Sequence, residues 1–155
     1  MPEQIIGKKR LLLVNLVLKP VDKFTDPLFT ADGQKRASVE LQSLETLWFN
    51  TGSLCNLSCN NCYIESDPHN DRLAYLTLED VRTFLDEIKT QKLQTKLIGF
   101  TGGEPFLNPD FLRILQLTLL RGFDVLVLTN GFRRIERYKN ELLNLKEQYG
   151  EKLQL

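Results

Sequence analysis

The chain has 155 residues, 42% hydrophobic and 26% charged, with twenty basic side chains balanced by twenty acidic ones. These are the proportions of one globular domain with enough apolar surface for a core, and they exclude collagen-like, low-complexity and disordered readings. A net charge of zero argues against a nucleic-acid or anionic-membrane surface as the main business of the protein.

The first apolar run, residues 11–18, is eight residues long and contains Asn15, too short to span a bilayer. Lys8-Lys9-Arg10 before it imitates a signal peptide, but Lys19, Asp22 and Lys23 follow at once and no A-x-A-like cleavage site appears. The run reads as a strand, and the protein as soluble, cytoplasmic and without a membrane span. A polar stretch with Pro20 and Pro27, an Asp32-Gly33 turn and residues 37–41 complete a lead-in over 1–45, an N-terminal β extension.

From residue 46 the pattern becomes regular. Leu47-Trp48-Phe49 is a short apolar strand that opens into a cysteine-bearing loop. Thr77 is an N-cap with Glu79 and Asp80 behind it, and Leu78, Val81, Phe84, Leu85 and Ile88 fall on one helical face. Leu97-Ile98-Gly99-Phe100 is the second strand, closed by Thr101-Gly102-Gly103-Glu104-Pro105. The next helix takes Asn108 as cap, Pro109 as its first residue and Gly122 as its stop, with Phe111, Ile114, Leu115 and Leu119 inward. Residues 124–128 carry Val125-Leu126-Val127-Leu128, an aliphatic run suited to burial on both faces of a parallel sheet, and end at Thr129-Asn130-Gly131. A last helix carries Ile135, Tyr138, Leu142, Leu145 and Tyr149 and stops at Gly150. Its basic start, Arg133, Arg134, Arg137 and Lys139 with Glu136 and Glu141 interleaved, reads as a solvated face.

Strand starts at 97, 125 and 152 recur at intervals of 28 and 27 residues. That is close to the roughly 31 residues per βα unit of a 250-residue barrel, and alternating strands and helices make right-handed parallel βαβ units. The class is α/β, a partial (β/α) barrel in which the fourth strand is a stub at residues 152–155. Such a stub lies at an open sheet edge, from which low stability and self-association are expected, with part of a larger fold missing.

Cys55, Cys59 and Cys62 are the only cysteines, and all lie within eight residues. An odd count packed so closely is a poor disulfide framework and a good metal or cluster loop. Three thiolates can hold three irons of a cubane cluster, leaving the fourth iron open to a small molecule, where a fourth cysteine would make an electron carrier. This loop, the Gly102-Gly103-Glu104-Pro105 loop and the Thr129-Asn130-Gly131 loop all follow strands, at the end of a parallel sheet where ligands bind.

Cys-x3-Cys-x2-Cys, Gly-Gly-Glu-Pro and Thr-Asn-Gly after consecutive strands resemble the radical S-adenosylmethionine (radical SAM) superfamily. Residues 101–110, TGGEPFLNPD, are close to the form in which the second motif is often written. The resemblance covers about residues 46–155, the first half of that family's partial barrel. It implies a 4Fe–4S cluster on Cys55, Cys59 and Cys62, with the amino and carboxylate groups of SAM on the fourth iron. It further implies reductive cleavage of SAM to methionine and a 5′-deoxyadenosyl radical that abstracts hydrogen from an unidentified substrate. Carbonyls of Gly102 and Gly103 approach the SAM ammonium group, Glu104 adds a charge-assisted contact to it, and Asn130 orders the methionine end. Many members have an aromatic residue just before the third cysteine, near adenine; here that residue is Asn61, and Tyr63 follows the cysteine, so the adenine contact comes from Tyr63, from an Asn61 hydrogen bond or from elsewhere in the protein. A one-electron donor such as a flavodoxin or ferredoxin is implied, and no second cysteine-rich segment suggests an auxiliary cluster. Two rival readings share the motifs in part: a Cys3His zinc module completed by His69, seven residues past Cys62, and a truncated cluster-binding fragment without SAM chemistry.

Overall fold

The computed structural model describes residues 25–40 and 42–155 of the chain. The strand expected at residues 11–18, with Pro20 and Leu41, lies outside the described residues. The chain divides between Glu40 and Leu41 into a short N-terminal unit and a larger second unit. In the first, the expected Asp32-Gly33 turn is closed by Gly33 N–H donating to Thr30 O (2.9 Å), and Phe29 and Lys35 form one antiparallel bridge. Residues 37–40 join no strand, so the described part of the β extension is a bridge and a turn.

The second unit alternates strand and helix: β1 Thr46–Asn50, α1 Leu78–Thr90, β2 Leu97–Thr101, α2 Phe111–Leu120, β3 Asp124–Val127, α3 Lys139–Tyr149 and β4 Leu153–Gln154. The strands form one parallel sheet in the order β1-β2-β3-β4, an α/β arrangement that is not closed. Residue by residue, Phe49 lies beside Phe100 and Phe100 beside Val127, while Trp48, Gly99, Leu126 and Gln154 form the next row. Side chains alternate across a pleated strand, so these two rows face opposite sides.

One face packs against the helices. Phe49, Ile98, Phe100, Val125, Val127 and Leu153 meet Val81, Leu85 and Ile88 of α1, Phe111, Ile114, Leu115 and Leu119 of α2, and Leu142 and Leu145 of α3. Near the carboxyl ends of the strands the core is aromatic. Phe49 stacks on Phe100 at 5.7 Å, and edge contacts follow from Phe100 to Phe111 (5.4 Å) and from Phe111 to Phe106 (5.1 Å). Rings in these geometries add about 0.5–1.5 kcal/mol per pair beyond burial. They give the loops above them a stiff floor.

The other face carries no helix. Trp48, half exposed, lies over Gly99, where a Cβ would come within 2.3 Å of its ring. This corrects the expectation for β3: Val125 and Val127 are fully buried, whereas Leu126 is only partly covered and Leu128 is exposed, because helices cover one side alone.

α1 begins as expected, with reciprocal capping: Thr77 N–H donates to Asp80 Oδ2 (3.0 Å) and Asp80 N–H to Thr77 Oγ1 (3.1 Å). Phe84 sits at the margin of its inner face, half exposed, with its ring edge on Phe49. Two helices differ from expectation. α2 starts at Phe111 and not at Pro109, after a 3₁₀ turn over Pro105–Leu107; Asn108 keeps a cap-type contact just ahead of the helix, its Oδ1 accepting from Asp110 N–H (2.9 Å). The last helix is broken into a 3₁₀ piece, Ile135–Tyr138, and α3; Tyr138 leaves the helical region (φ −110°, ψ 14°) with its ring 5.7 Å from Phe106. Among the described residues no helix is long and apolar enough to cross a membrane.

Candidate functional site

Three loops leave the carboxyl ends of β1, β2 and β3. The first begins by extending the sheet, with Thr51 donating to Thr101 O through both its N–H (2.8 Å) and its hydroxyl (2.9 Å). It ends where Leu76 returns to Thr51. Asn108 pins both ends, its Nδ2 donating to Thr51 O (3.1 Å) and Leu76 O (2.8 Å) while its Oδ1 accepts from Asp110 N–H (2.9 Å) at the approach to α2. Within the loop, Cys55 N–H donates to Asp67 O (3.1 Å), Ser53 Oγ to Asn70 O (2.9 Å), and tight turns close at Cys62 and Glu65.

All three cysteines are free thiols on this loop: Cys55 buried, Cys62 half-buried, Cys59 exposed. Leu57 N–H points to the Cys55 sulfur at 3.5 Å and Ser66 N–H to the Cys62 sulfur at 3.3 Å. The Cys62 thiol is held below its ordinary pKa, first by the Ser66 N–H and then by the Ile64 N–H, with the Ser66 hydroxyl and Glu65 N–H adding to the effect against burial. A loop that presents N–H donors to sulfur favours thiolate, the form that ligates metals.

The β2 loop lies against the first one. Gly103 N–H donates to Gly52 O (2.8 Å) and Glu104 N–H to Leu54 O (3.0 Å). Gly102 has φ 137°, and a Cβ there would lie 2.7 Å from Gly52 O; a Cβ on Gly103 would lie 2.0 Å from Leu54 O. The glycines are therefore required by the approach of the cysteine loop's own backbone. Glu104, expected to reach outward to a ligand, is 2% exposed. Its carboxylate accepts from Phe106 N–H (3.0 Å), Thr129 Oγ1 (2.9 and 3.0 Å) and Asn130 N–H (2.9 Å).

The β3 loop closes the triangle. Asn130 Nδ2 donates to Asn56 Oδ1 (3.1 Å) and toward Cys55 Sγ (3.6 Å), and Asn56 Nδ2 donates to Phe132 O (3.1 Å). The three motifs are thus one hydrogen-bonded unit although they are 75 residues apart at the extremes of the Asn130–Cys55 contact. Asn61 and Tyr63 are exposed on the cysteine loop, and neither side chain has a hydrogen-bond partner among the described residues. His69 is 94% exposed beside Asp67. Sequence alone gives Asn56 and Ser66 no role and reads Thr129 only as part of the Thr-Asn-Gly loop; its place straight after an aliphatic strand is the one usable signal.

The family model of the Radical SAM superfamily matches residues 49–147, which takes in all three loops. The chain belongs to the radical SAM superfamily. Among curated relatives, the S-adenosylmethionine-dependent nucleotide dehydratase of Selenomonas ruminantium is 39% identical, over 50% of this chain and 26% of the relative. A GTP 3′,8-cyclase of Actinobacillus succinogenes is 35% identical, over 52% of this chain and 24% of the relative. The antilisterial bacteriocin subtilosin biosynthesis protein AlbA of Bacillus subtilis is 33% identical, over 64% of this chain and 20% of the relative. The chain thus spans about a quarter or less of the length of these relatives.

Radical SAM proteins bind a 4Fe–4S cluster and SAM, and the donor set here fits such a cluster. Three free thiols on one loop, two of them with an N–H donor at the sulfur, offer one thiolate to each of three irons of a cubane.

Proposed function

We propose that this chain supplies the radical-generating part of a radical SAM enzyme. Cys55, Cys59 and Cys62 hold three irons of a 4Fe–4S cluster and leave the fourth to the amino and carboxylate groups of SAM. When bound, the reduced cluster and SAM together supply a 5′-deoxyadenosyl radical that abstracts hydrogen from the substrate. The protein's own work is positioning. The loop N–H groups of Leu57 and Ser66 support thiolates, carbonyls of Gly102 and Gly103 receive the SAM ammonium group, and Asn61 or Tyr63 at the loop rim meets adenine. A flavodoxin or ferredoxin delivers the electron, and self-association runs through the unpaired edge of β4.

One observation carries this reading: the cysteine, Gly-Gly-Glu and Thr-Asn-Gly loops are joined by direct hydrogen bonds at one end of the parallel sheet. The names of these relatives speak of a nucleotide in two cases and a bacteriocin in the third. Relatives with such different substrates point to a shared radical-generating step, and the substrate of this chain stays open. The test is anaerobic. The reconstituted chain, reduced with dithionite in the presence of SAM, is expected to release methionine and 5′-deoxyadenosine in equal amounts, measured by chromatography. A full cluster with no cleavage above the cluster-free control would instead mark a cluster-binding fragment without SAM chemistry.

A further inference from the structure

Glu104 is a buried carboxylate, and among the described residues no cation pairs with it. An isolated buried charge is strongly disfavoured, so its donors must hold it. They come from its own turn (Phe106 N–H) and from the β3 loop (the Thr129 hydroxyl and Asn130 N–H). Thr129 Oγ1 also accepts from Gly131 N–H at 3.1 Å, which directs its own proton to Glu104. The Asn130 amide is oriented in the same way. Its Oδ1 accepts from Phe132 N–H (2.8 Å), so its Nδ2 must face Asn56 and the Cys55 sulfur.

We propose that Glu104 is a positioning residue whose carboxylate clamps the Thr129-Asn130 turn and so aims the Asn130 amide at the Cys55 sulfur. The second half of this proposal rests on the reading of Cys55 as a cluster ligand; the clamp itself does not. A hydrogen bond to a ligating sulfur stabilises the reduced, more negative cluster and raises its potential. Glu104 thereby acts on the cluster through Asn130, and its charge is spent inside the protein, away from SAM.

Two readouts test this on the full chain. In the metal-free protein, amide hydrogen exchange at Asn130 is expected to speed up about tenfold in Glu104→Gln and in Thr129→Val, the loss of about one hydrogen bond. Thr129→Ser, which keeps the hydroxyl, is expected to match the parent. In the reconstituted protein without SAM, Thr129→Val and Asn130→Ala, which leave the charge of Glu104 in place, are expected to shift the cluster midpoint potential in the same, more negative direction. Unchanged exchange at Asn130 in both Glu104→Gln and Thr129→Val overturns the clamp. Unchanged potential in Thr129→Val together with weaker SAM binding in Glu104→Gln would make Glu104 a direct SAM contact. If Glu104→Gln does not fold, the Thr129→Val and Thr129→Ser pair still decides the clamp. If no variant or parent assembles a cluster, the exchange data stand, and it is the reading of the site that fails.

Discussion

Alanine in place of Cys55, Cys59 or Cys62 is expected to abolish retention of iron and sulfide after anaerobic reconstitution, while leaving the fold in place. A cluster held by three thiolates has no spare protein ligand, and two thiolates on a loop open to solvent leave two irons exposed to exchange. The three positions differ in how the loop holds them. Cys55 is buried with N–H donors from Leu57 and Asn130 on its sulfur, so Cys55→Ala also removes packing and two weak hydrogen bonds. Cys59 is exposed, and its replacement tests ligation with little else changed. Iron and sulfide assays beside far-ultraviolet circular dichroism separate the two effects. Full retention in all three variants would contradict the assignment.

The second large effect is expected at Gly103. A methyl group there meets the Leu54 carbonyl oxygen at 2.0 Å, a backbone atom with no rotamer to yield. The two loops must part, which breaks the Gly103-to-Gly52 and Glu104-to-Leu54 hydrogen bonds and moves Glu104 from its partners. Overpacking of this kind costs about 1–3 kcal/mol, so Gly103→Ala should lower the urea midpoint and retain little iron. Gly122→Ala is the control. It too is strained, at φ 92°, but nothing lies within 4 Å of the added Cβ and it stands at the C-terminal end of α2. It should lose stability and keep its cluster. Equal iron content in Gly103→Ala and the parent would mean that the close contact between the loops is not needed.

Period and punctuation made much of this fold legible. Aliphatic runs closed by glycine loops announced β2 and β3, and Thr77 with Asp80 announced the start of α1. Local signals failed where a distant partner decides. Asn108 reads as a helix cap and its Oδ1 does accept from Asp110 N–H, but nothing local shows that its Nδ2 also ties Thr51 and Leu76, 57 and 32 residues away. Leu126 looks like core, but no helix covers its side of the sheet. At the site, the spacing of the cysteines identified the loop, and the motifs after β2 and β3 identified its neighbours. The partners of Glu104 were not readable, because an acidic residue after two glycines looks the same whether it points outward or is clamped by Thr129, 25 residues later.

The central claim, that three cysteines and the two neighbouring loops make a cluster site with one iron open to SAM, is tested most directly by electron paramagnetic resonance. The reconstituted chain would be reduced and its spectrum recorded with and without SAM. A reduced-cluster signal whose shape changes on adding SAM is the expected result, since only an iron without a protein ligand can take the small molecule. A cluster signal indifferent to SAM, or a colourless protein that binds zinc in place of iron, would contradict the account.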